Sequence, residues 1–336
     1  MPQESGVSPD GVSLSPGCVL CYQGAKMVLF VTGRCHRTCW YCPLSRERKD
    51  QDVVFANSRQ VSSPAEAIEE AESMSALGTG ITGGEPLIVL DRVVEYCRAL
   101  KEHFGPDHQI HLYTGLAPNE ATFRRLQGLV DEIRLHPPPE CWPRILDTDY
   151  ARSAVIAREM GFLIGIEVPA LPGIGALAAV LPLLDFLNIN ELEWGETCAD
   201  AMRERGLEPE DGVHNAVLGA RQWAEELPRD PKVHFCSSVF KDSVQLRERL
   251  KRIAANTARP FEEVTDDGTV VYGVLEPAGA VDEFLASLDE DDYMVCEGRI
   301  EMAWWVLTED GAGLPGRKYV VERYPGGGMV VEVTPL

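Results

Sequence analysis

Short apolar runs alternate with amphipathic stretches for roughly 210 residues, and this alternation constrains the fold more than any other feature. Runs at 27–32, 80–82, 109–114, 132–135, 162–168, 191–194 and 232–235 read as strands. Helical patterns at 64–77, 90–103, 119–129, 147–160, 173–187 and 213–227 lie between them. Helices placed between successive strands imply a parallel sheet with right-handed crossovers. Six or more such units imply an α/β chain folded as a full or partial (β/α) barrel, with ligands gathering at the C-terminal strand ends.

The texture changes after Pro260. Strand-like runs at 269–274, 299–307, 318–323 and 329–333 are separated by glycine turns, with one helical stretch at 281–288. The expected organisation is a flexible lead-in over 1–17, a barrel core over 18–240, a basic connecting helix over 241–260 and a small α+β domain over 261–336. No internal repeat is visible.

The chain carries 53 Asp and Glu against 31 Lys and Arg, a net charge of −22. A surface of that sign repels DNA and RNA unless a basic patch intervenes. The 241–259 segment is such an exception, with six Lys or Arg and two acids. It is a candidate docking surface for a protein or RNA substrate; an acid-paired or solvated helix face is the alternative. DNA is not an expected partner. The longest uncharged run, 168–184, holds Pro169, Pro172 and Pro182 and makes a poor membrane span. Residues 1–17 have no Lys, Arg or apolar stretch, so no secretory signal is expected and a cytoplasmic location is. The ten cysteines are then reduced, and clustered ones read as metal ligands or catalytic groups.

Cys35, Cys39 and Cys42 form C-x3-C-x2-C directly after the first apolar run. Three thiolates within eight residues wrap one face of a cluster. A [4Fe–4S] cube has four irons, so one is left for a ligand from elsewhere. Zinc, or a cluster completed by a distant cysteine, is the alternative. The second run ends in Gly83, Gly84, Glu85 and Pro86. Paired glycines admit a ligand close to the backbone, and a carboxylate accepts from an amine.

With both motifs in order on a βα scaffold, the chain resembles the radical S-adenosylmethionine (radical SAM) enzymes. Tyr41 matches the aromatic that precedes their third cysteine, and Gly83 to Pro86 match their glycine element. The text of the two motifs is similar to the branch related to pyruvate formate-lyase activating enzymes. The resemblance implies that Cys35, Cys39 and Cys42 hold three irons of a [4Fe–4S] cluster and that S-adenosylmethionine chelates the fourth. It implies that Gly83, Gly84 and Glu85 meet the amino group of that molecule and that the backbone around Tyr41 meets its adenine. One electron, from a ferredoxin- or flavodoxin-type donor, then gives methionine and a 5′-deoxyadenosyl radical, which takes a hydrogen atom from a substrate the sequence does not name. Thr114 and Glu167, at later strand ends, stand where the family supplies contacts to the ribose and methionine carboxylate; plain strand-end capping is the alternative. His136 reads as a structural histidine.

An upstream pair, Cys18 and Cys21, with Cys198 and Cys236, forms a candidate auxiliary iron–sulfur or zinc site. Reduced thiols in a loop are the alternative. Cys97, Cys141 and Cys296 read as packing. The upstream pair and the C-terminal domain depart from a minimal glycyl-radical-enzyme activase. A non-catalytic iron–sulfur or zinc protein, such as an electron carrier, is the rival from another class.

Overall fold

A computed structural model describes residues 13–336. The chain divides into two units. One ends at Glu72 and resumes over Ala76–Gln245; the other comprises Ser73–Ser75 and Leu246–Leu336.

The first unit is built on nine strands: β1 (Lys26–Phe30), β2 (Val54–Ala56), β3 (Arg59–Val61), β4 (Gly78–Thr82), β5 (Gln109–Thr114), β6 (Glu132–Leu135), β7 (Leu163–Pro169), β8 (Phe186–Asn190) and β9 (Val233–Cys236). Their order is β3-β2-β1-β4-β5-β6-β7-β8-β9. From β1 onward every pairing is parallel and each strand lies beside the next one in the chain. The β2–β3 hairpin extends the β1 edge antiparallel. Among the described residues β9 does not close onto β1, so the barrel is partial. Crossovers include α2 (Pro64–Ser73), α3 (Leu90–Phe104), α4 (Glu120–Leu126) and α5 (Asp149–Glu159), which follow α1 (Pro16–Tyr22). On α3, Val93, Tyr96, Cys97 and Leu100 are buried at helical spacing, and the helix stops at Gly105, whose φ of +91° an L side chain rarely adopts.

The interior of the barrel is polar. Arg134, 2% exposed, reaches Glu132 on its own strand (Nε–Oε1 2.6 Å) and Glu167 on β7 (Nη1–Oε2 2.6 Å). Helix α1 is tied to the same carboxylate. Ser15, its cap, donates to Glu132 Oε1 at 3.0 Å, and the Gly17 N–H donates to Oε2 at 3.1 Å. Lys26 returns from β1 to the Gly17 carbonyl at 2.6 Å. A carboxylate at a helix start satisfies N–H groups that the helix itself leaves open. Ser15 and Pro16 therefore open a helix where the sequence suggested a loose lead-in; residues 1–12 of that segment lie outside the described residues.

Three other expectations change. The apolar stretch 173–187 was expected to be one helix followed by a strand at 191–194. Instead a 3-10 segment covers Ile174–Leu183 and β8 begins at Phe186. Pro182 breaks the helical path, and Asp185 accepts from the Ile164 N–H at 2.9 Å, which turns the chain into the sheet. The expected helix at 213–227 shrinks to Ala220–Ala224. The β2–β3 hairpin had no sequence signal strong enough to announce it.

The second unit holds an antiparallel sheet of order β12-β13-β11-β14-β15, with β10 (Glu263–Val264) beside β11. These strands are β11 (Val270–Pro277), β12 (Tyr293–Cys296), β13 (Arg299–Met302), β14 (Gly316–Arg323) and β15 (Val330–Pro335). The expected strand at 299–307 ends at Met302, and Trp304–Thr308 is helical. Gly273 explains the change: a Cβ there would stand 2.9 Å from Leu307 and 3.2 Å from the Trp304 Cα, so its absence lets the helix lie on β11. The core joins Tyr272, Val274, Leu275, Ile300, Met302 and Leu307. Of the basic side chains in 241–259, Lys241 pairs with Glu193, Arg247 and Lys251 with Glu248, and Arg259 with Glu262 and Glu301. Arg252 donates to the Met74 carbonyl at 3.0 Å. Carboxylates and carbonyls of the chain thus occupy most of the cations that suggested a docking patch.

His108 is buried and shares a 2.8 Å hydrogen bond with the Thr79 hydroxyl. Burial, reinforced by Lys101, pushes its pKa down to about 4. A histidine depressed in the fold stabilises it in the neutral form, so that contribution is present above about 6.5 and is lost as pH falls toward 4. The urea midpoint should fall across that window. In His108→Gln, which keeps a partner for Thr79, the decline should be shallower; identical curves for the two proteins would refute it.

Candidate functional site

The cysteine loop begins where β1 ends, and the chain braces it before any ligand is considered. The Thr32 hydroxyl donates to Asp52 at 3.0 Å and accepts the Arg34 N–H at 3.2 Å. Arg92 crosses from α3 to Asp52 and to the Val31 carbonyl, both at 2.7 Å. Within the loop the Arg37 N–H points at Cys35 Sγ at 3.4 Å and the Cys42 N–H at the Cys39 carbonyl at 3.1 Å. Thr197 donates to the Cys42 and Leu44 carbonyls. The three thiols are half-buried. Burial pushes those of Cys35 and Cys42 above the usual range, so binding a metal there releases protons.

The glycine element runs along this loop. The Gly84 N–H donates to the Thr32 carbonyl at 2.7 Å and the Glu85 N–H to the Arg34 carbonyl at 2.8 Å. A Cβ on Gly84 would stand 2.4 Å from the Arg34 carbonyl oxygen and 2.6 Å from that of Gly33. Glu85 is fully buried. Its carboxylate accepts from Thr114 Oγ1 (2.7 Å), Gly115 N (2.7 Å), Leu87 N (3.1 Å) and Leu116 N (3.2 Å). Four donors match the acceptor capacity of a carboxylate. Glu85 and Thr114, which the sequence offered as separate ligand contacts, thus bond each other and join the ends of β4 and β5.

Glu167 is likewise engaged. Arg134, Asn188 (3.0 Å) and Asn190 (2.9 Å) all reach its carboxylate. Burial works to raise its pKa, but Arg134 and the two amides prevail and hold it at about 2. Tyr41 is buried, and its hydroxyl lies 3.2 Å from His136 Nε2. Burial pushes the phenol above its usual range and the His136 imidazole below its own.

The four cysteines of the candidate auxiliary site are not brought to one point. Cys18 Sγ, buried in the barrel, lies 3.2 Å from Asn188 Nδ2 and 3.5 Å from Arg134 Nη2. Burial raises its pKa, and Cys21 adds to the rise. Burial pushes Cys236 up to about 12, again with Cys21 and Cys18 contributing, so these three share one electrostatic neighbourhood. Cys198 stands instead against Gly195 and Pro43 and acts on Cys42. Among the described residues no three Cys, His, Asp or Glu side chains converge on a single metal-ion position. That does not count against a cube on Cys35, Cys39 and Cys42, because such a cluster is gripped at separate iron corners.

All three of these cysteines, with Tyr41 and Gly83 to Pro86, line one cavity of about 650 Å³ at the C-terminal ends of the strands. The same cavity is lined by Tyr113, Asn190 and a Lys241–Glu193 ion pair with Nζ–Oε1 at 2.6 Å. Burial works against the charge on Lys241, yet Glu193 and Cys236 keep its pKa above the usual value. A cradle without Cβ atoms, three thiols and a nucleotide-sized cavity fit a [4Fe–4S] cluster with a small ligand on its open corner.

Residues 29–141 match the radical SAM superfamily, and residues 268–336 match a domain of unknown function, DUF8061. A protein of Methanocaldococcus jannaschii, provisionally named a glycyl-radical enzyme activating enzyme, is 38% identical over 279 residues, covering 78% of this chain and 73% of its own. The chain belongs to the radical SAM superfamily. It is therefore an enzyme, and the family implies a [4Fe–4S] cluster and S-adenosylmethionine. The family match runs from within β1 through β4, β5 and β6, four parallel strands, and covers both motifs, and no helix among the described residues is long and apolar enough to cross a membrane.

Sequence reasoning missed Arg37, Tyr150 and Glu193, and it offered Lys241 only as part of the basic 241–259 segment and not as a cavity residue. It also missed Arg134, although a charge between Ile133 and Leu135 in an apolar strand was a usable signal. Replacing Gly84 by Ala should cost about 1–3 kcal/mol through overpacking against the cysteine loop. Urea unfolding of the metal-free protein checks this; unchanged stability would mean that the two strand ends do not meet as described.

Proposed function

We propose that Cys35, Cys39 and Cys42 hold the [4Fe–4S] cluster and that the enzyme removes a hydrogen atom from a protein substrate, in the manner of a glycyl-radical-enzyme activase. The reading rests on one cavity lined by all three cysteines, the Gly83–Pro86 element and the polar residues Tyr113, Asn190, Glu193 and Lys241. When bound, the cluster supplies the electron that cleaves S-adenosylmethionine to a 5′-deoxyadenosyl radical. The chain's own residues do the rest. Gly83 and Gly84 let the ligand approach the backbone, and Glu85 and Thr114 hold that backbone rigid. The backbone around Tyr41 flanks the adenine, and Glu167 keeps Asn190 in place at the cavity wall. Pro86 starts the 3-10 turn Pro86–Val89 that leads the chain away from the cavity. Lys241, held by Glu193, keeps donors free for an oxygen of the substrate. A ferredoxin- or flavodoxin-type protein delivers the electron.

The M. jannaschii relative's name supports a protein substrate, and RNA is the competing macromolecule. Cys18, Cys21 and Cys236 remain the candidate second thiol site, without Cys198.

Anaerobic reconstitution, then dithionite and S-adenosylmethionine, should yield 5′-deoxyadenosine. Cys39→Ala should abolish the product and Cys18→Ala should retain it; loss in both would remove the assignment to one triad. With extract from cells grown on deuterated glycine, deuterium should enter 5′-deoxyadenosine and should resist RNase. Label arriving only from the small-molecule filtrate, or vanishing with RNase, would overturn the protein-substrate reading. Lys241→Met should lower that deuterium transfer at least tenfold, the loss of one charged hydrogen bond, while leaving cleavage without substrate intact.

A further inference from the structure

We propose that His136 is a positioning residue that latches the cysteine loop into its working shape before any cluster binds. The inference rests on the reading of Cys35, Cys39 and Cys42 as cluster ligands. His136 follows β6, and its N–H donates to the Thr114 carbonyl at 2.8 Å. Its ring Nδ1 lies 2.8 Å from the Glu167 carbonyl oxygen. A carbonyl only accepts, so Nδ1 carries the hydrogen and Nε2 of the neutral ring presents a lone pair. Tyr41 donates its O–H to that lone pair at 3.2 Å. The backbone carbonyl of His136 accepts from Arg37 Nη1 at 2.8 Å. The two loop residues on either side of Cys39 thus grip one strand-end residue, through its ring and through its backbone.

The second guanidinium nitrogen of Arg37 donates to the Tyr150 hydroxyl, which donates in turn to the Gly115 carbonyl. The Gly115 N–H is the group that meets Glu85 at 2.7 Å. The cysteine loop and the glycine element therefore hang on one hydrogen-bonded network spanning the ends of β4 to β7. Many metal-binding loops acquire order only with the metal. This loop is held by bonds that need none.

The test compares the wild type with Tyr41→Phe, His136→Phe and the double variant. Amide hydrogen exchange is measured over 35–43 in the metal-free protein, and iron release to a chelator in the reconstituted one. Tyr41→Phe should speed both about tenfold, as expected for losing one buried hydrogen bond, and His136→Phe, which also leaves the Glu167 carbonyl without its ring donor, at least as much. The double variant should be no faster than His136→Phe, since that change already removes the contact that Tyr41→Phe removes. The electron paramagnetic resonance spectrum of the reduced cluster should change shape in both singles, which a general loss of stability would not produce. Unchanged exchange in Tyr41→Phe, or effects that add in the double variant, would overturn the latch. If His136→Phe fails to fold, Tyr41→Phe alone decides. If the wild type takes up no iron, the proposed function falls, and the exchange measurement still decides the latch.

Discussion

A guanidinium sealed inside the barrel sets the conditions for everything around it. Arg134 is a charge almost wholly removed from water, which is tolerable only with partners on every side. Glu132 and Glu167 supply the countercharge, and Tyr113 and Ser15 fill the remaining donors. Removing either carboxylate would take away half of that countercharge and leave buried guanidinium donors unmatched, which destabilises the fold. Because Glu132 also caps α1 and Glu167 also holds Asn188 and Asn190, one cation ties α1, β6, β7 and β8 together.

That polar core and the candidate site share residues. Glu167 faces Arg134 with its side chain and His136 with its carbonyl. Asn190 bonds Glu167 and also lines the cavity. The site follows the same logic on a smaller scale. Glu85 is fully buried, so its carboxylate collects backbone N–H groups from the end of β5 and ties two strand ends into one rim. The glycines then bring that rim against the cysteine loop at distances no other residue permits.

How far the sequence was legible follows from where each signal lives. The βα alternation was readable because helices and strands bury apolar faces with different periods. Reading failed where a strand buries polar residues: Phe186 and Leu187 passed for the tail of an apolar helix and Asn188–Asn190 for a connection, because Asn188 and Asn190 point at Glu167 rather than at hydrocarbon. It failed again at Trp304–Thr308, where strand-favouring residues fold as a helix because Gly273 leaves room for one. The three cysteines and the glycine pair stood out because their chemistry is carried by spacing along the chain. Lys241, Arg37 and Tyr150 did not, since each matters only through a neighbour that is distant in sequence.

The sequence by itself determined the family, the parallel architecture and the two motifs, all of which are local patterns of residue type and interval. Tertiary structure alone decided what the individual side chains do. It assigned Glu85 and Thr114 to each other, turned Glu167 toward Arg134, and set Cys198 beside Cys42 rather than with Cys18 and Cys21. A carboxylate or thiol shows its role only through the donors and charges that reach it. In a barrel those come from strands tens of residues apart, whose positions no spacing along the chain encodes.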